Sequence, residues 1–595
     1  MYLPQLPENS KQQIMTSIWY GYNHNLRIQQ GESYDQYNMT NDNYPVLSTR
    51  RPHGESTHMM LHPRGLIAKE QLAYVNGTSL YYAGRKVDGI TLTVDDYEPK
   101  QLVSMGSYLL VFPDGVYYNT LDVGDYGSIN ANYTSIGSID YTLCDATYND
   151  MTNVPVSDSE PTYPEGSGPQ NGDYWINTGS TPASLMQYSS YSSSWTLVPT
   201  TFVKISSPGI GVNFNTGDGV SLGGCAYTGD NQRLANEIDA LNGDILLHYV
   251  TDDYIVVTGM LSRPYQQTEG TVAVSRTAPD MDFVVESNNR LWGCKFGMYD
   301  GDLRNEIYSC KLGDFKNWRV YAGLSTDSYA VSVGSDGPFT GAITYKNLPH
   351  FFKEHCVYQI YGTMPSNYQV VHTKVPGVMA SSPRSLVSEG GYLYYKSPMG
   401  VCRFDGSGAT YISQPLGDVE YTEATAGAFH NKVYFSLHKK DGWWHLFCYD
   451  VEKNMWSHDD NIHVLFWAST EYDLFYLTDA KLGCINGTEY TLEGPFAWYV
   501  VSAPIGYEFA EQKYLTRFDI RMALGAGSTA VLEIQYDSSG EWIQQGDEMR
   551  AEVLRSFTVP VRPRRCDHIR WRLRGTGTVD LYSVAKQYES GSDVV

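Results

Sequence analysis

The chain has little that would mark a helix. Apolar residues fall at helical spacing only near Asn231 to Leu241 (NQRLANEIDAL), where Leu234, Ile238 and Leu241 stand four and three apart. That predicts one short helix in 595 residues. No run approaches the roughly 18 apolar residues of a membrane-spanning helix, so no membrane span is expected. The first residues, MYLPQLPENSKQQ, lack a basic segment followed by an apolar one, and no signal peptide is expected. Positive charge is scarce. Lys and Arg number 42 against 66 Asp and Glu, a net charge of −24. A nucleic-acid-binding surface would be basic, whereas an acidic wall lets nucleic acid pass without sticking.

Paired metal ligands and nucleophile motifs are also missing. The nine cysteines are odd in number, and none forms a CxxC pair. This excludes the paired spacing of a zinc site and predicts reduced thiols packed as small hydrophobes. His53, His58 and His62 lie in a Pro-bounded stretch that reads as an irregular link. There is no GxxxxGK[ST] phosphate loop and no GxSxG elbow. Ser335-Asp336-Gly337 lacks the Trp of a sialidase-type turn and does not recur. No cofactor or metal is expected, and the chain is not expected to be an enzyme.

What the chain has is period-two patterning. An aromatic-rich strand, a tight Gly, Asn or Asp turn and a second strand recur at Leu72 to Lys86, Gln101 to Thr120, Arg290 to Tyr321, Gly390 to Gly406 and Ala426 to Trp456. Each unit is too small to bury its own face, and such units stack radially into a β-propeller. The 49 Tyr suit thin sheets and subunit interfaces, because the ring is buried while the hydroxyl stays wet or paired.

A length of 595 exceeds the roughly 250–300 residues that one core supports. The expected fold is all-β: a β-propeller with an inserted small β domain and a C-terminal, jelly-roll-like β-sandwich. Residues 1–60 read as a mostly irregular arm. Residues 61–125 and 274–500 carry the propeller. Residues 126–273, rich in Ser, Thr, Gly, Asn and Pro, read as an insertion at a loop tip. Residues 501–595 hold five strands of similar length, with Asp537 to Gly540 as a hairpin turn.

Three groups of residues could carry chemistry. Asp280, Asp282 and Glu286 lie in PDMDFVVE, and on one strand Asp282 and Glu286 would share a face as base and acid of a glycan hydrolase. The bland alternative makes the aspartates turn residues and pairs Glu286 with Arg290. Tyr174, Trp175, Tyr191 and Trp195 in the insert could stack on a glycan or form the core of a small sheet. Arg570, Arg572 and Arg574 share one face of a strand, with Ile569, Trp571 and Leu573 on the other. That ladder suits carboxylates of a partner subunit, or a solvated face balanced by Asp519, Glu533 and Asp580.

Several long segments also resemble a family of virion structural proteins of tailed phages and prophages, mostly of Firmicutes and gut bacteria. They are NLRIQQGESYDQYNMTNDNYPVLSTRR, SVGSDGPFTGAITYKNLPHFFKE, YYKSPMGVCRFDG and PRRCDHIRWRLRGTGTVDLYSVAKQYESGSDV. The resemblance implies a tail-associated component assembled in the host cytoplasm. Its architectural analogue is the propeller-bearing nozzle or hub of short-tailed phages. The partners that the resemblance implies are further copies of itself in a homo-oligomeric, hexameric ring, portal, adaptor and tail-fibre or tail-tip proteins, and DNA passing through a lumen without specific binding. A receptor- or glycan-binding tail-tip protein is the alternative, and a propeller glycan hydrolase the less favoured one.

Overall fold

The computed structural model describes residues 11–93, 99–299, 301–506 and 513–590. The protein is all-β and built of many small sheets. Among the described residues the single α-helix is Gln232–Asp239, where the helical spacing placed it. Its N-cap Asn231 accepts from the Arg233 and Leu234 amides, and Leu234 and Ile238 are buried. No helix among the described residues is long and apolar enough to cross a membrane.

Six four-stranded antiparallel sheets occur in chain order, over 63–86, 101–128, 283–332, 341–374, 387–411 and 421–460. Residues 466–484 supply three strands of a seventh. Its next strand is Gly54–Met59, which pairs with Lys481–Cys484 from far upstream in the chain. The first hairpins of four successive sheets turn on Asn288-Asn289, Lys346-Asn347, Gly390-Gly391 and His430-Asn431, all with positive φ. That is the turn whose twist matches a right-handed strand pair.

Each small sheet buries one face against the next in sequence. Leu80 packs with Leu109, Leu110 with Leu291, and Trp292 with Phe351 in shared apolar clusters. Phe352 shares a cluster with Leu393, Tyr394 with Phe435, and Leu446 with Leu474. A seventh cluster joins Leu477 and Leu482 of the last sheet to Leu66 and Tyr74 of the first. Polar side chains lace the first strands together. The Gln101 amide donates to the Asp282 carbonyl at 2.5 Å and accepts from the Val284 amide at 2.9 Å. The Thr425 hydroxyl donates to the Val464 carbonyl at 2.6 Å. All nine cysteines are buried and free.

Residues 131–276 interrupt this series between the second and third sheets. They form three sheets and the helix around a core of their own that includes Tyr141, Val203, Val220, Ile238 and Ile255.

Both ends of the described chain meet in two larger sheets of seven and six strands. Their common core holds Trp19, Trp498, Phe518, Leu532 and Trp571. The expected irregular arm is instead a set of strands here. Lys11–Thr16 pairs with Val579–Ser590, and Glu32–Tyr37 with Ala497–Ser502. The polar composition concealed them: Ser33 and Gln36 are buried side chains on a strand reading ESYDQY. Residues 1–10 of that arm lie outside the described residues. The hairpin expected at Asp537 to Gly540 is present, joining Thr529–Tyr536 to Ile543–Met549, with Asp537 and Ser538 both at positive φ.

Candidate functional site

The acidic cluster does not assemble as an acid–base pair. Asp282 immediately precedes the strand Phe283–Ser287, which carries Glu286. The Lys295 ammonium lies between Asp280 and Asp282, at 2.8 and 2.9 Å. The second Asp282 oxygen accepts from the Phe296 amide at 2.8 Å. Burial works against the Lys295 charge, but the two carboxylates outweigh it and hold its pKa above the ordinary value. Glu286 accepts from the Asn289 amide at 2.8 Å and so braces its own hairpin turn. Arg290 is not its partner. That buried guanidinium donates to the carbonyls of Cys310, Ser325 and Asp327.

The insert aromatics divide. Trp175 is buried, donates its indole N–H to the Ser157 hydroxyl at 2.8 Å and meets Trp195 edge-on with centroids 5.6 Å apart. Tyr174 is half-buried against the insert core. Only Tyr191 stands free, fully exposed in the turn between the last two strands of its sheet.

The arginine ladder is held within the chain. Glu533 lies opposite Arg572 on the neighbouring strand and is 6% exposed. Its carboxylate takes Arg572 at 2.6–2.7 Å and Arg574 at 3.0 Å. Arg572 covers the Trp542 ring at 4.5 Å, and Arg570 covers the Tyr34 ring at 4.3 Å.

Two polar features had no local pattern in sequence. One is a buried charge cluster where the segment around Asp42 to Arg50 crosses the sheet of 421–460. Arg50 pairs with Asp460 at 3.0 Å and with Glu493, and Lys432 pairs with Asp42. Asp459, 4% exposed, lies among them, and burial pushes its carboxyl up to about 7.

The other is a cleft of about 1190 Å³ at the seam between the seventh and first small sheets. Tyr74 and Tyr81 stack along it with centroids 4.9 Å apart and rings within 7° of parallel. Tyr472 and Tyr490 line it as well and are 77% and 40% exposed. Glu70, Gln71, Glu471 and Glu489 line it too. Among the described residues no Lys or Arg lines it, and its one imidazole is that of His58. Its residues come from two stretches about 400 positions apart, which is why no local motif announced it.

No protein-family model and no curated protein matches this chain. Solved structures that this chain matches include the exo-β-1,3-galactanase of Phanerochaete chrysosporium with galactose. It is 9% identical with a TM-score of 0.21, over 51% of this chain and 94% of that one. The extracellular domain of a hybrid two-component system from B. thetaiotaomicron is 9% identical with a TM-score of 0.19, over 92% and 99% of the two chains. A glycoside hydrolase family 43 arabinoxylan arabinofuranohydrolase from Bacillus subtilis is 8% identical with a TM-score of 0.14, over 67% and 93%. One expectation is corrected by these matches. The chain was expected not to be an enzyme, and the matched structures include glycoside hydrolases, so that exclusion does not stand. At such scores the likeness assigns no reaction or substrate.

Proposed function

We propose that the seven small sheets close into a seven-bladed β-propeller and that the chain is a tail-associated virion component. In this reading it is a wall element of a nozzle or hub ring through which DNA leaves. The observation that carries it is the cyclic order of the seven apolar clusters, with the last sheet completed by Gly54–Met59 and packed on the first. A body sealed in this way cannot unzip from an edge strand, and both ends of the described chain are tied into one further pair of sheets. Such a unit suits a conduit under mechanical load.

The net charge of −24 favours passage of DNA over adhesion. Arg570, Arg572, Arg574, Asp282 and Glu286 serve internal contacts, which fits side chains that hold a scaffold. The long segments resembling tail proteins support the same reading.

The test is particle imaging of the purified chain, alone and with portal and adaptor proteins of the same phage, together with mass spectrometry of purified virions. The expected result is a closed ring of identical copies and presence of the chain in the tail. A monomer absent from virions would overturn the reading.

A receptor-reading role for the insert is favoured by one observation, the fully exposed Tyr191 at a hairpin tip. Removing residues 131–276 should then abolish adsorption and leave assembly intact.

A further inference from the structure

We infer that the seam cleft between the seventh and first small sheets is a binding site for an uncharged oligosaccharide. This stands independently of the ring proposed above, because it rests on the cleft alone.

The cleft is large enough for several sugar rings, and its volume of about 1190 Å³ lies somewhat above the roughly 300–1,000 Å³ usual for small-ligand sites. Four tyrosines line it. Pyranose rings present flat C–H faces that pack on aromatic rings, and they surround those faces with hydroxyls that need partners. The tyrosine ring with its wet hydroxyl matches both demands. Tyr472 and Tyr490 hold their rings out to solvent at 77% and 40% exposure, although a side chain of this size is usually covered. Tyr74 is only 7% exposed, but its side chain lines the cleft and stacks on Tyr81.

Charge selects the class of ligand. Glu70, Glu471 and Glu489 line the cleft, and no Lys or Arg does among the described residues. Carboxylates accept hydrogen bonds from sugar hydroxyls but repel uronates, sialates and phosphates. Nucleobases would also stack on the tyrosines, but they bring a phosphate backbone, and the same carboxylates exclude it. An apolar peptide would need a continuous apolar floor, whereas here Glu70, Gln71, Glu471 and Glu489 share the lining with the rings.

The experiment uses the full chain and saturation-transfer NMR followed by calorimetry. The probes are neutral tetrasaccharides of glucose, galactose and mannose at about 1 mM, a concentration that detects weak binding, with tetragalacturonate as the anionic control. At least one neutral probe should bind, and the uronate should not. Tyr472→Ala and Tyr490→Ala should each weaken binding about tenfold, the loss of one stacked ring, while Tyr472→Phe should retain it. These side chains are exposed, so the variants should melt with the parent. Trp443→Ala, an exposed aromatic away from the cleft, should leave the affinity unchanged. Binding of none of the neutral probes, equal binding of the uronate, or binding that survives both alanine variants would overturn the assignment.

Discussion

Lys481 and Glu55, separated by 426 positions in sequence, form an ion pair of 2.7 Å across the two strands that join the last small sheet to the N-terminal segment. Both side chains are nearly half exposed, at 45% and 40%. The pair marks the junction more than it holds it, since exposed ion pairs contribute about 0–1 kcal/mol. The junction is held by backbone pairing and close packing at Gly54. A Cβ there would meet the Glu489 carbonyl oxygen at 2.0 Å and the Cys484 sulfur at 2.8 Å.

Gly54→Ala should therefore destabilise the protein by about 1–3 kcal/mol through overpacking, and Lys481→Ala by under about 1 kcal/mol. Gly168→Ala, with open space around it, should be close to neutral. Urea melts of the three variants check the order. Equal stability of the Gly54 and Gly168 variants would show that the junction is dispensable.

The arginine ladder makes a second prediction. Glu533 is the shared acceptor of Arg572 and Arg574 and is itself buried. Glu533→Ala should cost roughly 2–4 kcal/mol, because it leaves two like charges side by side and one of them partly buried. Arg574→Ala, at the exposed end, should cost under about 1 kcal/mol. Thermal melts of the isolated chain measure both. If Glu533→Ala left the melt unchanged and altered only assembly of copies, the ladder would belong to an interface after all.

A third prediction concerns Asp282. Its carboxylate and that of Asp280 share Lys295. Asp282→Asn should weaken the link between the second and third small sheets, where the Asp282 carbonyl also accepts from Gln101, and cost about 1–2 kcal/mol. Glu286→Gln should cost less, since the amide oxygen still accepts from Asn289. Any glycan turnover found for the parent should persist in both variants, and chromatography of the digests would reveal a loss that contradicts this.

Much of the fold was legible because the small sheets announce themselves locally. Period-two runs flank dipeptides such as Asn288-Asn289 and Gly390-Gly391, which favour the positive φ their turns require. The sheet of 341–374 was missed as a unit because Pro349 stands in its second strand, and proline demotes a run on inspection. The seventh sheet was hidden for a different reason: its completing strand lies at Gly54–Met59, where no local reading would look. One signal stood in the sequence throughout. Cys310, Cys356, Cys402 and Cys448 are spaced 46 residues apart, on or next to the third strand of four successive sheets. The seam cleft was not legible, since the two stretches that line it lie about 400 positions apart. Glu533 is one of three acids that could balance the arginine ladder on sequence grounds; that it is the one opposite Arg572 depends on strand register.

The buried charge cluster makes the last prediction, on pH. The Asp459 carboxyl is pushed up to about 7 by burial, against the opposing pull of Lys432 and Arg50 and with a smaller contribution from Asp42. The sign follows from comparing states. In the unfolded chain the group titrates near its ordinary value of 3.8, so between about pH 4 and pH 7 the folded state holds a proton that the unfolded state has lost. Folding stability from this group is thus greatest in acid, falls as pH rises through 7 and is constant above it. His458 and His350, each lowered to about 4 by burial, act in the opposite direction. They lose stability as pH falls below 6.5, and they do so equally in a variant that changes only Asp459. Asp459→Asn removes the titration and keeps an acceptor for the Ser457 hydroxyl, now at 3.1 Å from the carboxylate. Measured as a difference from the parent, the variant should gain stability between pH 5 and pH 8, on the order of 2 kcal/mol, and the gain should level off above pH 8. Denaturant melts of both proteins at half-unit pH steps give that difference curve. A flat difference would mean that Asp459 is ionised in the folded protein throughout and is held so by Lys432 and Arg50.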